Sequence, residues 1–284
     1  MSCFLTVLSV LLGAGKNITS KLGKNYFSEI HDCAKLNIVT SVIALLVFVP
    51  SVGNSNTEYG FIFLTLSFLY GLCTFFSQLF YIKAVKTGPV SVCSLIYSCG
   101  FIIPTIFAAA VFSEKVTPLK AVGIILLIFC TFAVGYKKER SESYGWLLPA
   151  CLAMLSSGAV GVLQKAVRKC FSSWCMDEYL FWAFGFMLVL SVAVMLLSKS
   201  SKGERSLKYF LCTAFLAICV VGANKLNLYL SGIVPGVIFF PAVNGGCLVV
   251  SSIMSKLIFN ESFSAVKICG LTLSVLSIIL IANG

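Results

Sequence analysis

Long apolar runs separated by short polar segments recur along the whole chain. A membrane-spanning helix needs about 20 predominantly apolar residues to cross the hydrocarbon core of a bilayer. Ten runs in the sequence approach this length, at about 2–20, 36–53, 60–82, 88–111, 118–136, 144–166, 179–198, 207–229, 234–258 and 264–282. The pattern predicts ten transmembrane helices, which we call spans 1 to 10, and leaves almost no residues for a soluble domain.

The composition agrees with an integral membrane protein. Of the 284 residues, 59% are hydrophobic and 11% are charged, and the mean hydropathy of +1.00 is far above that of soluble domains. Residues 1–15 lack the basic start and the cleavage site of a signal peptide, so we expect them to belong to span 1. The 13 cysteines form no C-x-x-C pair and lie mostly in apolar runs, so we expect neither a metal site nor a disulfide framework.

Two connectors carry similar sequences. Residues 112–123 read FSEKVTPLKAVG, and residues 259–270, which start 147 positions later, read FNESFSAVKICG. Four identities recur at this spacing, pairing Phe112 with Phe259, Glu114 with Glu261, Lys120 with Lys267 and Gly123 with Gly270. The match predicts that the chain arose by duplication. In each half, this connector joins the last two spans.

Other polar and helix-breaking positions follow the same duplication. At the offset of 147, Gly88-Pro89 pairs with Pro235-Gly236, and Ser77-Gln78 pairs with Asn224-Lys225. With one more residue of offset, Lys16 of a Gly-x-x-Lys-Asn segment pairs with Gln164 of a Gly-x-x-Gln-Lys segment. We therefore predict an all-α membrane fold of two five-span halves, residues 1–138 and 139–284. Because five is odd, the second half must be inverted relative to the first.

The arrangement resembles the drug/metabolite transporter superfamily, specifically its EamA-like ten-helix branch. The likeness is carried by spans 4 and 9, which start near Gly and Pro and end in an apolar-x-Glu connector, with Gly nine residues after the Glu. Residues 227–246, NLYLSGIVPGVIFFPAVNGG, also look like the corresponding segment of bacterial members. The resemblance implies a bacterial cytoplasmic membrane, a small-molecule substrate, and a pathway between the halves walled by spans 3, 4, 8 and 9. The family's connector Glu precedes Arg or Lys, a pattern that Glu114 keeps and Glu261 does not.

Several polar side chains fall inside these spans and are candidates for the substrate pathway: Gln78, Tyr97, Ser98, Asn224, Lys225, Asn227 and Asn244. Hydrogen bonding between helices is the alternative role for the amides. Lys225 lies about 7 Å inside the end of span 8, at 1.5 Å per residue, which leaves cavity and interface equally open. If Lys225 reaches the cavity, no intramembrane carboxylate is available to neutralise it, and an anionic substrate is expected. Pro104 and Pro241 are candidate helix bends, with static kinks as the alternative.

Other ionisable groups are expected near the membrane surfaces. Lys16 and Lys165 lie close to predicted span ends and are expected to extend to the interface. All ten acidic residues fall in connectors or at span ends, and the single histidine, His31, falls in the predicted loop between spans 1 and 2. A proton relay therefore has no clear carrier, apart from Asp177-Glu178 at the start of span 7, for which a solvated helix-start pair is the alternative.

The pattern favours a secondary transporter for a small organic metabolite or drug-like solute. A channel or facilitator without ion coupling is the alternative, although no filter sequence is present. We expect no enzyme activity, no catalytic residue and no cofactor, because no zinc-protease, serine-hydrolase or Walker motif occurs. The basic excess, 21 Lys and Arg against 10 Asp and Glu, is explained by topology and not by nucleic acid. Only six of these cations fall on the side of the termini, so the positive-inside rule predicts external termini, whereas the family resemblance implies cytoplasmic ones.

Overall fold

A computed structural model describes residues 2–22, 30–52, 60–88, 90–135, 144–171, 175–198, 207–260 and 263–284. These residues form helices and no strand. The helices are α1 (Ser2–Leu22), α2 (Ile30–Phe48), α3 (Phe61–Thr87), α4 (Val90–Ser98), α5 (Ile102–Val111), α6 (Pro118–Gly135), α7 (Leu147–Cys170), α8 (Met176–Leu197), α9 (Leu207–Ser231), α10 (Gly236–Phe259) and α11 (Ala265–Asn283). The predicted boundary after residue 138 and the connector residue Glu261 lie outside the described residues.

Ten apolar helical segments correspond to the ten predicted spans. Within the described residues, nine segments are long and apolar enough to cross a membrane, and α4 and α5 together supply one of them. Helix α6 is a shorter apolar helix. Nine of the ten predicted spans are thus confirmed over this part of the chain, and the shorter helix α6 is compatible with the tenth. The protein is a multi-pass integral membrane protein.

Helix α2 begins earlier than the sequence predicts. Its first turn contains His31 and Asp32, both of which are buried, so placing His31 in a loop was wrong. The Nδ1 atom of His31 lies 2.9 Å from the hydroxyl oxygen of Ser198, at the end of α8. Polar side chains end an apolar run without ending the helix, because buried polar groups can be satisfied by neighbouring elements.

The predicted bends differ in form. Span 4 is divided by a 3-10 turn, Cys99–Phe101, just before Pro104. Since proline has no backbone N–H, it cannot donate to the carbonyl four residues earlier, and the helix is weakened at that place. Helix α10 continues without interruption through Pro241. Whether either position moves during transport stays a prediction.

Helices from the two predicted halves pack against one another. Helix α3 packs against α7 and α8, α9 packs against α1 and α2, and α2 packs against α8. Further out, α5 packs against α10 and α6 against α11. The largest buried apolar cluster lies around α3 and α8 and includes Tyr70, Phe63, Tyr179 and Phe184. Polar side chains of α1, α3, α4, α7 and α9 meet beside this core.

Candidate functional site

Three polar side chains surround the hydroxyl of Tyr97 on α4. The Oγ atom of Ser77, on α3, lies 3.1 Å from this hydroxyl. Lys16 from α1 and Ser157 from α7 also lie close to it. We call these four residues the Tyr97 cluster. Because α1 and α4 belong to one predicted half and α7 to the other, the cluster lies where the halves meet.

Lys16 is directed into the protein. Its side chain is half-buried and lies close to Tyr97 and near Cys247 of α10. The expectation that Lys16 extends to the membrane interface was wrong. Hydropathy indicates how deep a lysine lies, but the direction of its side chain depends on packing. Gly13, one turn earlier, allows this approach, because a Cβ atom there would overlap the sulfur of Cys247.

A second hydrogen-bonded group links α7, α3 and α9. The side-chain amide of Gln164 donates to the Tyr70 hydroxyl at 2.9 Å, and this hydroxyl donates to Oδ1 of Asn224. Asn224 also donates to the Val220 carbonyl one turn earlier, at 2.8 Å. We call Gln164, Tyr70 and Asn224 the Tyr70 cluster. Tyr70 and Gln164 were not identified as pathway residues from the sequence, although the duplication already paired Gln164 with Lys16.

The remaining pathway candidates have different surroundings. Asn227 accepts a hydrogen bond from Ser9 of α1. Ser98 and Asn244 donate to carbonyls of their own helices, at 2.8 Å and 2.9 Å respectively. Gln78 is half-buried on α3. The structure thus brings Tyr97, Asn224 and Asn227 into contacts between helices, and a transport role for each candidate stays a prediction.

Lys225 has a carboxylate partner, contrary to the sequence argument. Its Nζ atom lies 3.0 Å from Oδ2 of Asp177, at the start of α8, and about half of the Lys225 side chain is exposed. Ser51 donates to the same carboxylate oxygen at 3.2 Å. The expectation of an unneutralised charge at Lys225 was therefore wrong. So was a solvated pair at Asp177-Glu178, because Glu178 is fully buried.

A buried ion pair joins the first connector to the second half. Oε1 of Glu114 lies 2.7 Å from Nζ of Lys165, and both side chains are largely buried. Lys165 also donates to the carbonyls of Ser231 and Val234, at 2.9 Å and 3.3 Å, in the turn between α9 and α10. Oε2 of Glu114 accepts a hydrogen bond from the Val237 N–H, in the first turn of α10, at 3.0 Å. Lys165 therefore does not extend to the interface as expected, because its ammonium group is held by three oxygen atoms inside the protein.

The Glu114 carboxylate is stabilised in its ionised form. Burial raises its pKa, but hydrogen bonds from Lys165 and from the N–H groups of Val237 and Gly236 outweigh burial and leave the pKa below its ordinary value. A carboxyl with a lowered folded-state pKa contributes stability above its unfolded pKa, about 4.3 for Glu, and loses that contribution as the pH falls.

We therefore expect the stability difference between wild type and Glu114→Gln to depend on pH. At neutral pH the wild type should have the higher melting temperature in detergent, and the gap should narrow as the pH falls below about 4.3. Thermal unfolding followed by intrinsic tryptophan fluorescence measures both proteins across this range. The difference in melting temperature between the two proteins isolates the effect of Glu114, since every other carboxylate is present in both. A gap that stays constant with pH would contradict the assignment.

The site contains no metal-binding constellation in the described part of the chain, where no three His, Cys, Asp or Glu side chains are grouped to hold an ion. The polar groups of the Tyr97 and Tyr70 clusters are hydroxyls, amides and the ammonium group of Lys16. Such groups can bind a polar organic molecule through hydrogen bonds.

Comparisons with known proteins inform the fold. No protein-family model and no curated protein matches the chain. Among solved structures, 29 chains match. One of these, described only as "Crystal structure of protein", superposes with a TM-score of 0.78 over 99% of this chain and 97% of its own, at 13% sequence identity. At that identity the likeness establishes the fold alone.

Proposed function

We propose that the chain is a secondary transporter of the EamA-like drug/metabolite type, in a bacterial cytoplasmic membrane. It moves a small organic metabolite or drug-like solute by alternating access between two inverted five-span repeats. The observation that carries the proposal is that contacts recur when the two halves are exchanged. A two-fold relation of this kind is the usual basis for switching access from one membrane face to the other.

Helix packing supports the exchange. Replacing each span by its counterpart five spans later turns the pair α3–α7 into α9–α1, and the pair α3–α8 into α9–α2. The pairs α2–α8, α5–α10 and α6–α11 are each converted into themselves. All of these pairs are present. Because each half contains an odd number of spans, the relating axis is expected in the membrane plane.

The backbone of the two connectors supports the same relation. Ser113 and Asn260 are 147 residues apart and follow the phenylalanines of the repeated motif. They are the only described non-glycine residues with positive φ, at 52° and 51°. Left-handed backbone conformation is uncommon for such residues. Its presence at both equivalent positions indicates that the two connectors have the same backbone conformation directly after these phenylalanines.

Each connector phenylalanine receives a lysine from the opposite half. Nζ of Lys169, at the end of α7, lies 5.6 Å from the ring centroid of Phe112. Nζ of Lys21, at the end of α1, lies 4.4 Å from the ring centroid of Phe259. Lys21 and Lys169 are 148 residues apart, the offset that relates α1 to α7. Reciprocal cation–π contacts of this kind are expected when two similar units face each other across a two-fold axis.

The outer helix pair repeats the pattern. A Cβ atom on Gly123 of α6 would lie 2.7 Å from Cγ1 of Ile281, and one on Gly270 of α11 would lie 2.9 Å from Cγ2 of Val134. Gly123 and Gly270, and likewise Val134 and Ile281, are 147 residues apart. The glycine that ends each repeated connector motif thus receives a side chain from the matching position of the other half.

Counterflow in proteoliposomes tests the function. Vesicles are loaded with an unlabelled compound from a panel of amino acids, nucleosides, sugars and organic anions, and uptake of the labelled compound is followed. For a transporter, uptake of at least one compound should saturate with concentration and be accelerated by the internal unlabelled compound. Uptake that rises linearly and ignores the internal compound would favour the channel or facilitator. Protein-free vesicles give the background.

A further inference from the structure

Lys16 brings a positive charge to the level of the bilayer interior. It precedes the end of α1 by six residues, about 9 Å at 1.5 Å per residue. Its partner Tyr97 is seven residues inside α4, about 10 Å, and Ser77 is ten residues inside the end of α3, about 15 Å. These distances place the Tyr97 cluster inside the hydrocarbon core, on the side where α1 and α3 end and α4 begins.

This charge has no acidic partner in the described part of the chain. Lys165 pairs with Glu114 and Lys225 pairs with Asp177, whereas the interactions of Lys16 are with the neutral groups of Tyr97 and Cys247. An ammonium group inside a membrane is costly without a compensating charge. A bound anion would supply that charge.

The second half fills the equivalent position without a charge. Gln164 lies 148 residues after Lys16. Gln164 donates a hydrogen bond to the Tyr70 hydroxyl, and Lys16 lies close to the Tyr97 hydroxyl. Those hydroxyls in turn meet Asn224 and Ser77, which are themselves 147 residues apart. An amide therefore suffices for the packing and hydrogen bonding of this position. The positive charge of Lys16 must serve a different purpose.

We propose that the Tyr97 cluster is the anion subsite of the transport pathway, and that the substrate is a small organic anion. The ammonium group of Lys16 and the hydroxyls of Tyr97, Ser77 and Ser157 donate hydrogen bonds to the carboxylate or phosphate oxygens of the substrate. Hydrogen bonds between charged groups are about twice as strong as neutral ones, which gives the subsite its selectivity. The inference rests on the proposed transport function, and it moves the anion-binding role from Lys225 to Lys16.

The electrostatics of the subsite can be measured without knowing the substrate. In a cysteine-free background, Ser77→Cys places a thiol beside Tyr97. The thiol is then treated with the anionic reagent sulfonatoethyl methanethiosulfonate and with the cationic reagent trimethylammonioethyl methanethiosulfonate. Lys16→Gln, which introduces the residue found at position 164, should lower the ratio of anionic to cationic rate about tenfold. Lys256→Gln, at an exposed lysine near the end of α10, should leave the ratio within about twofold.

Each outcome bears on a different claim. Reaction with both reagents at a ratio that Lys16→Gln does not change would overturn the anion subsite and leave the pathway intact. Failure of both reagents to react would overturn the subsite and the pathway together. In the counterflow panel, the exchanged compound should be an anion, and its half-saturation concentration should rise about 10- to 100-fold in Lys16→Gln. Counterflow of only neutral or cationic compounds would support transport but overturn the anion assignment.

Discussion

Replacing Lys165 by methionine should lower the free energy of unfolding by about 3–5 kcal/mol. The substitution leaves the Glu114 carboxylate largely buried and without its cation, 2.7 Å from where the ammonium group was. The carbonyls of Ser231 and Val234 also lose a donor. Chemical or thermal unfolding of the purified protein in detergent measures the loss.

A double substitution separates the pair from its surroundings. Lys165→Met combined with Glu114→Gln removes both charges and should restore part of the stability lost in Lys165→Met alone, because no unpaired charge remains. If the two single losses simply add, the residues are not coupled. Lys225→Met is the matched control, since it breaks an ion pair with Asp177 that is half exposed, and it should cost no more than about 1 kcal/mol.

The Glu114–Lys165 pair also bears on the proposed transport cycle. It joins the connector after α5, in the first half, to α7 and to the first turn of α10, in the second half. Connectors on the side of the termini therefore touch across the boundary between the halves. Opening the pathway towards that side requires these contacts to separate or to move together, so the strength of this pair affects the equilibrium between the two access states.

The spans could be predicted from sequence because bilayer thickness fixes the length of an apolar helix. The start of α2 was missed because its first turn is polar, yet His31 is buried against Ser198 of α8. The similarity of the two connector sequences was also visible, and Ser113 and Asn260, at matching positions, share a positive φ. The position of a residue within an apolar run thus predicts its depth along the membrane normal.

The direction of a buried polar side chain could not be predicted in the same way. Lys16, Lys165 and Lys225 lie at similar distances from helix ends, and each has a different partner: Tyr97, Glu114 and Asp177 respectively. These partners are between 48 and 81 residues away in the sequence. Rotation about the helix axis decides which neighbour a side chain meets, and that rotation follows from packing of the whole bundle. The pathway candidates could therefore be chosen from the sequence by residue type and position, but their contacts could be learned only from the structure.

Gly71 lies where α3 and α8 approach most closely. A Cβ atom at this position would overlap the carbonyl oxygen of Ala183 and lie 3.2 Å from the backbone nitrogen of Met187. Backbone atoms cannot rotate away as a side chain can, so α3 and α8 would have to separate. The preceding residue, Tyr70, carries the hydroxyl of the Tyr70 cluster and packs on Tyr179 of α8 with ring centroids 5.4 Å apart.

Gly71→Ala should therefore destabilise the protein by about 1–3 kcal/mol, because overpacking outweighs the better helix propensity of alanine. Gly185→Ala on α8 is the matched control. The nearest atom to its Cβ would be Cδ2 of Leu45 at 4.0 Å, an ordinary contact, so this variant should be neutral or more stable by up to about 1 kcal/mol. In detergent, Gly71→Ala should thus lower the melting temperature, whereas Gly185→Ala should leave it unchanged or raise it. Equal shifts would show that the close approach of α3 and α8 does not limit the residue at position 71.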